Sequence, residues 1–239
     1  MLNIKIIINF FFNLLKKKNR FSIATTKNFK NNYYANDNFN IKFSKIKKKD
    51  RDLIYKYLSL TDTKNGAHNF LNWGGGNGVL DLLINKINPK IKTTIIEKEN
   101  FFKKIKSNSK IIQKFEDKSI SFSSDQNMWK SDKFKIVLFF GSLCYMPEIY
   151  NFFKFSKSKY IAISRLPMLI DSKEDIVAYD DHYSHYETFL SEEKFKKIYS
   201  KSFKFLYFSE HWGGLKKNKS KIDKYEIKSC DILLERKIL

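Results

Sequence analysis

The chain is poor in glycine, arginine, proline and cysteine, and these scarcities narrow what it can be. Its 239 residues include 8 glycines, 3 prolines and 2 cysteines. Cys144 and Cys230 lie far apart with no CxxC pair, which excludes a secreted disulfide framework and a cysteine metal site. A reducing cytoplasm fits that usage. Four of the 46 basic residues are arginine (Arg20, Arg51, Arg165, Arg236), so lysine carries the formal net charge of +21. Arginine is the better fork for phosphates and base edges. Its scarcity argues against nucleic acid as partner, despite the charge, and makes most lysines a solvated surface. Abundant Lys, Asn, Ile and Phe beside scarce Gly, Pro, Ala and Arg is the skew that AT-rich codons impose. With 42% hydrophobic and 16% aromatic residues the chain has the means to fold around one full α/β core.

A long hydrophobic run is also missing. Leu2 to Leu15 is strongly apolar, but it falls short of the roughly 20 residues that a spanning helix needs. Lys5, Asn9, Asn13 and Lys16 fall on one narrow stripe of a helix. Lys16-Lys17-Lys18 and Arg20 follow the apolar stretch, whereas a signal peptide carries its charge before it. Two readings stand: a helix lying in an anionic membrane surface, or one capping the domain or a partner. Residues 16 to 50 read as a basic, Asn- and Lys-rich arm, and a short helix is expected from Asp50, with Leu53, Ile54, Tyr57 and Leu58 in helical register. The expected division is a basic arm with an amphipathic helix over 1–60 and a single domain over 61–239.

From residue 68 strands and helices alternate. Strands are expected at about His68–Trp73, Thr93–Glu97, Ser119–Phe122, Phe134–Phe140 and Tyr160–Ser164, with helices near 78–86, 100–106 and 148–155. Such alternation predicts a parallel sheet with right-handed crossovers. A last helix at about 191–200 is followed by strands at Phe203–Phe208 and Ser229–Glu235, which close the sheet in an antiparallel hairpin.

Half of the glycines sit within five positions, at Gly74, Gly75, Gly76 and Gly78. A strand, a glycine turn and a helix N-terminus make a cradle for a nucleotide-like ligand. The pattern is G-x-G-x-G, and Val79 stands where the G-x-G-x-x-G of dinucleotide enzymes has its third glycine. Glu97 ends the second strand 21 positions after Gly76, near the offset at which a carboxylate meets ribose hydroxyls; Glu99 is a second candidate for that role. After the third strand, Asp125 is placed to reach an adenine amino group. After the fourth, Gly141 and Ser142 face the same crevice, and Tyr145 either lines the substrate pocket or packs into the core.

These residues resemble S-adenosylmethionine-dependent methyltransferases of the Rossmann-like class. More narrowly, the chain is similar to methyltransferases encoded among bacterial surface-polysaccharide genes. The resemblance runs over roughly residues 68 to 236 and rests on the glycine loop Trp73–Gly78, on Ile96-Glu97, and on Gly141-Ser142-Leu143-Cys144-Tyr145-Met146-Pro147. It continues in Ile161-Ala162-Ile163-Ser164-Arg165-Leu166-Pro167 and His185-Tyr186-Glu187-Thr188-Phe189-Leu190-Ser191. The tryptophan often present in that last segment is Thr188 or Phe189 here.

The resemblance implies a seven-stranded, mostly parallel sheet with a terminal antiparallel hairpin. It implies S-adenosylmethionine as cofactor, with Gly74, Gly76 and Gly78 passing its methionine part and Glu97 holding its ribose. The expected acceptor is a small molecule or a glycan. A hydroxyl acceptor benefits from a general base, and His182 and His185, beside Asp180 and Asp181, are candidates. The same cluster also fits a metal site or a plain polar loop. Tyr145 and Tyr186 are candidates on the acceptor side, and Arg165 either holds an anionic substrate group or makes a structural salt bridge.

Overall fold

In the computed structural model, residues 21–23, 46–146, 149–180, 185–210, 221–222 and 225–237 are described. The apolar segment 2–15 and its basic flank lie outside them, as do residues 181–184.

The centre of the molecule is β5 (Ile136–Phe140), whose residues from Ile136 to Phe139 are all buried. An unbroken apolar strand of this kind must be covered on both faces. On its two sides lie β2 (His68–Trp73) and β6 (Tyr160–Ile170), both parallel to it, and beyond β2 come β3 (Ile91–Ile96) and β4 (Ile120–Ser123), also parallel. The alternation of side chains along these strands sorts them into two layers. Leu71, Val137, Phe139, Ile161 and Ile163 face Phe152 and Phe153 of α5 (Ile149–Phe155) and Phe195 and Tyr199 of α6 (Glu192–Tyr199). Phe70, Ile136, Leu138, Tyr160 and Ala162 face Leu53, Ile54 and Tyr57 of α1 (Lys48–Leu60) and Ile84 of α2 (Val79–Ile87). Each such side chain contributes roughly 1.5–3 kcal/mol by leaving water. The two remaining helices, α3 (Glu99–Lys106) and α4 (Ser109–Glu116), follow β3, and Phe115 of α4 packs on Ile95 and Ile120.

β11 (Tyr225–Arg236) runs antiparallel to β6 and carries β9 (Phe203–Glu210) on its far side, also antiparallel. The closing antiparallel pair is therefore present. The strand count differs from the expectation: the sheet holds eleven strands among the described residues, not seven. Seven of them, in the order β4-β3-β2-β5-β6-β11-β9, make the expected core. The others are β1 (Phe21–Ile23), β7 (Ile176–Asp180), β8 (His185–Ser191) and β10 (Lys221–Ile222).

The surplus has a physical origin in β6, which continues to Ile170 instead of stopping near Ser164. Its first half lies between β5 and β11. Its second half, past the end of β5, pairs with β8 through Met168–Leu190 and Leu169–Ser191. The halves meet at a bulge opposite Asp231, where Arg165 has φ +59°. A bulge of this type bends and twists a strand, and Pro167, which cannot donate to a ladder, falls just past the point where β5 ends. β7 pairs antiparallel with β8, and β1 with β7. Among the described residues, no helix is long and apolar enough to cross a membrane.

Candidate active site

The glycine turn lies at the carboxyl end of β2. Gly74 N–H donates to Ile96 O at 2.9 Å, which prolongs the β2–β3 ladder into the turn. Gly78 precedes α2 with φ +70°, and a Cβ there would lie 2.8 Å from both Ile95 Cδ1 and a Phe115 ring carbon. Glycine at 78 thus lets the helix sit tightly on the sheet. Gly76 has a similar φ, +61°, but a Cβ there would meet nothing within 4 Å. The main chain at Gly76 therefore faces open space, and a ligand can lie directly against it. Gly75 packs inward, its Cβ direction ending 2.6 Å from the Asn72 amide, and Gly74 abuts Ser142.

Glu97 stands across that opening. Its Oε1 accepts from Gly76 N–H at 2.5 Å and its Oε2 from Lys98 N–H at 3.3 Å. Burial pushes the Glu97 carboxyl upward, while these N–H groups and the Lys98 charge pull it back. Each oxygen keeps lone-pair capacity for a further donor. With Trp73, Gly74, Ile96 and Phe101 it walls a crevice of about 640 Å³, including space open to solvent. Lys98 and Gln126 complete the lining. Partial burial lowers the Lys98 ammonium to about 8, against the pull of Glu97. Gln126 is tethered to Glu97 O at 3.0 Å. Glu99, the other candidate, is exposed and turned to Lys103, 3.3 Å away, and to Ser124. Asp125 is exposed and accepts from Asn127 N–H at 2.9 Å, so Gln126, not Asp125, lines the crevice from the β4 loop.

Beneath the turn, Asn72 donates to Asp81 Oδ2 at 2.8 Å. Asp81 is fully buried in the first turn of α2, and Asp81 Oδ1 has no partner among the described residues. The helix N-terminus favours a negative charge, but burial outweighs it and the Asn72 bond, raising the carboxyl to about 7.

The loop after β5 crosses the same edge of the sheet. Gly141 N–H donates to Ser164 O at 2.8 Å, and Ser142 Oγ donates to Trp73 O at 2.5 Å, which locks the loop beside the glycine turn. The loop then makes a 3-10 turn over Leu143–Tyr145. Tyr145 is half-buried, and its phenol donates to Glu187 Oε1 of β8 at 2.8 Å. The Cys144 thiol, wholly buried, is pushed well up by burial and by the Glu187 charge.

Arg165 belongs to a separate network. Its guanidinium meets the buried Asp50 of α1 at 2.8 Å, the structural salt bridge that the sequence left open, while its side chain passes beside Gly141. Its backbone N–H and the Ser164 hydroxyl both donate to Asp231 Oδ1, at 3.1 and 2.8 Å. Tyr57 of α1 donates to Ile163 O at 2.6 Å. Tyr186 lies in β8 and packs edge-to-face on Tyr179. His185 begins β8, and His182 lies outside the described residues. Among the described residues, no group of three or more His, Cys, Asp and Glu is placed to hold a metal.

The structure thus brings Gly74, Gly76 and Glu97 to one crevice, holds Gly141 and Ser142 in the loop beside it, and sets Arg165 in an ion pair. Lys98, Gln126 and Glu187 went unread in the sequence. Asp81 and Asp231 carried a signal, since each is a lone carboxylate inside an apolar run.

No family model and no curated protein matches this chain. Solved structures resemble it in fold. The N-terminal domain of EvdMO1, crystallised with SAH bound, matches with a TM-score of 0.52 and 13% identity over 80% of this chain and 82% of that one. Magnesium protoporphyrin IX methyltransferase (ChlM) from Synechocystis PCC 6803, with bound SAM, gives 0.50 and 12% over 79% of each. The [4+2]-cyclase SpnF gives 0.55 and 12% over 80% and 82%. At such identities the likeness is one of fold: a mostly parallel Rossmann-like sheet of the kind found in methyltransferases.

Proposed function

We propose that this chain is an S-adenosylmethionine-dependent methyltransferase acting on a small-molecule or glycan acceptor. The observation that carries the reading is that open main chain at Gly76 and the Glu97 carboxylate, hydrogen-bonded to each other, line one crevice at the carboxyl edge of the sheet. The residues present fit the cofactor. Bare backbone accommodates its methionine part, a carboxylate with spare lone pairs suits the ribose hydroxyls, and Trp73, Ile96 and Phe101 offer apolar contact to the base. When bound, the cofactor supplies a methyl group on a positively charged sulfur. The protein's part is chiefly positioning: Glu97 orients the sugar, and Ser142 fixes the loop above Gly74.

Methyltransferase-fold structures with SAM or SAH bound support the reading; the glycan acceptor rests on the sequence resemblance alone. In this reading residues 61–239 carry the chemistry, and 1–60 is a basic arm whose last helix docks on the domain. The arm gives a cytoplasmic enzyme peripheral contact with an anionic membrane. The cyclase among the fold neighbours makes turnover, beyond binding, part of the test. The net charge of +21 favours a second reading, an RNA methyltransferase; its mark is affinity for RNA that falls steeply with salt.

Calorimetry with S-adenosylmethionine and with NAD tests the proposal. The former binds and the latter does not. Glu97→Ala weakens binding by about 1.5–3 kcal/mol, the range for a hydrogen bond to a charged group. An unchanged affinity removes Glu97 from the site.

A further inference from the structure

Glu187 is a buried carboxylate that the cofactor crevice does not use, and its position is set by strand register. β8 pairs in parallel with β6 through Met168–Leu190 and Leu169–Ser191. Glu187 precedes that pairing by three residues, on the stretch of β8 that lies past the last residue of β5, Phe140, which pairs with Ser164 of β6. Its bond to Tyr145 puts it beside the loop that follows β5, at the carboxyl edge of the core sheet. Ligands of open α/β sheets bind at that edge.

What Glu187 touches there points the same way. Its Oε1 accepts the Tyr145 phenol at 2.8 Å. Tyr145 ends the 3-10 turn whose start, Ser142, is hooked to Trp73 O in the wall of the crevice. Glu187 is 7% exposed, whereas the tyrosine is half-buried, so Tyr145 is the more accessible residue of the pair. Cys144, on the same turn, is held as a neutral thiol by burial and by Glu187, and does not compete as a base.

We infer that Tyr145 and Glu187 form a proton relay for a hydroxyl acceptor, with Tyr145 touching the acceptor and Glu187 positioning the phenol and receiving its proton. The inference rests on the methyl-transfer reading above. A neutral alcohol or phenol must lose a proton as its oxygen is alkylated, while an amine attacks with a lone pair it already has. The balance is complete. The acceptor O–H bond breaks, its proton passes to Tyr145 Oη, and the phenol proton moves to Glu187 Oε1. The oxygen pair forms the bond to the methyl carbon, and the electrons of the broken carbon–sulfur bond stay on sulfur as a neutral thioether.

The test uses the whole chain with S-adenosylmethionine and simple probes: methyl glucoside, glycerol and catechol as hydroxyls, aniline as amine. S-adenosylhomocysteine formation gives kcat and KM, calorimetry gives cofactor affinity, and NMR of ¹³C-tyrosine-labelled protein reports the phenol. Tyr145→Phe and Glu187→Gln are expected to lower kcat by about 100-fold, with KM and cofactor affinity unchanged, and Glu187→Asp to restore part of the loss. The Tyr145 resonance, assigned by its absence in Tyr145→Phe, is expected to move in Glu187→Gln. Unaltered kcat in both variants overturns the relay, and so does an unmoved Tyr145 resonance, whether or not any probe is methylated. Methylation of aniline alone overturns the hydroxyl assignment. Failure of the wild type to bind S-adenosylmethionine removes the parent reading instead, and is recognised because it appears in calorimetry before any acceptor is added.

Discussion

The two sides of the carboxyl edge are built by different means. On the side we assign to the methyl donor, around β2 and β3, partners are near in sequence: Gly76 and Glu97 are 21 positions apart, Asn72 and Asp81 nine. On the side we assign to the acceptor, around β6 and its bulge, partners come from far away. Tyr57 reaches Ile163 across 106 positions, Ser164 reaches Asp231 across 67, and Tyr145 reaches Glu187 across 42. The difference shows that a strand–turn–helix unit can fix a ligand cradle almost by itself, whereas the opposite wall exists once the sheet has assembled. The buried carboxylates differ in kind as well. Asp231 holds a bulge through two donors, while Asp81 has a single side-chain donor and an oxygen without a partner among the described residues.

The largest effect is expected in the donor unit. Gly78→Ala combines a left-handed φ with a Cβ 2.8 Å from Ile95 and Phe115, and urea unfolding should find it destabilised by about 3–4 kcal/mol. Gly76→Ala, at nearly the same φ but in open space, should cost about 1 kcal/mol. Equal losses at the two glycines would mean that packing does not distinguish them.

On the acceptor side, Asp231→Ala leaves the Arg165 N–H and the Ser164 hydroxyl without their acceptor and should cost about 2–3 kcal/mol in the same experiment. Calorimetry should find cofactor affinity unchanged in this variant. A marked loss of affinity would show that the two sides are coupled, and would break the comparison.

The remaining effect is the pH dependence carried by Asp81. Its carboxyl is raised to about 7 by burial, against about 3.9 in an unfolded chain, so the folded state binds the extra proton between those values. Its contribution to stability is complete below the unfolded pKa and is lost as pH rises through the folded one. Between pH 5 and 7 the wild type should lose about 2 kcal/mol relative to Asp81→Asn. Parallel stability profiles for the two proteins would place the charge elsewhere.

The same division explains what could be read beforehand. The glycine loop, the acidic end of β3 and the alternation of the five parallel strands were legible because each depends on short-range pattern. The strands at 176–180 and 185–191 were not, because their polar and aromatic residues give no clean period. α4 was missed for want of a distinct boundary after α3. Lys98 and Gln126 are ordinary surface types in sequence, and their placement in the crevice follows from the turns after β3 and β4. Glu187 has no legible role in the 185–191 segment, since only the assembled sheet brings it to Tyr145.

By itself, then, the sequence determined the layered α/β architecture and the glycine turn at the end of β2, because alternating burial and glycine's freedom from a Cβ act over a few residues. The tertiary structure decided the rest: that β6 runs on past its bulge, that Arg165 is tied to Asp50, and that a tyrosine and a glutamate meet above the sheet. Those outcomes depend on register between distant strands, and no local pattern encodes which residues will stand level once the chain is folded.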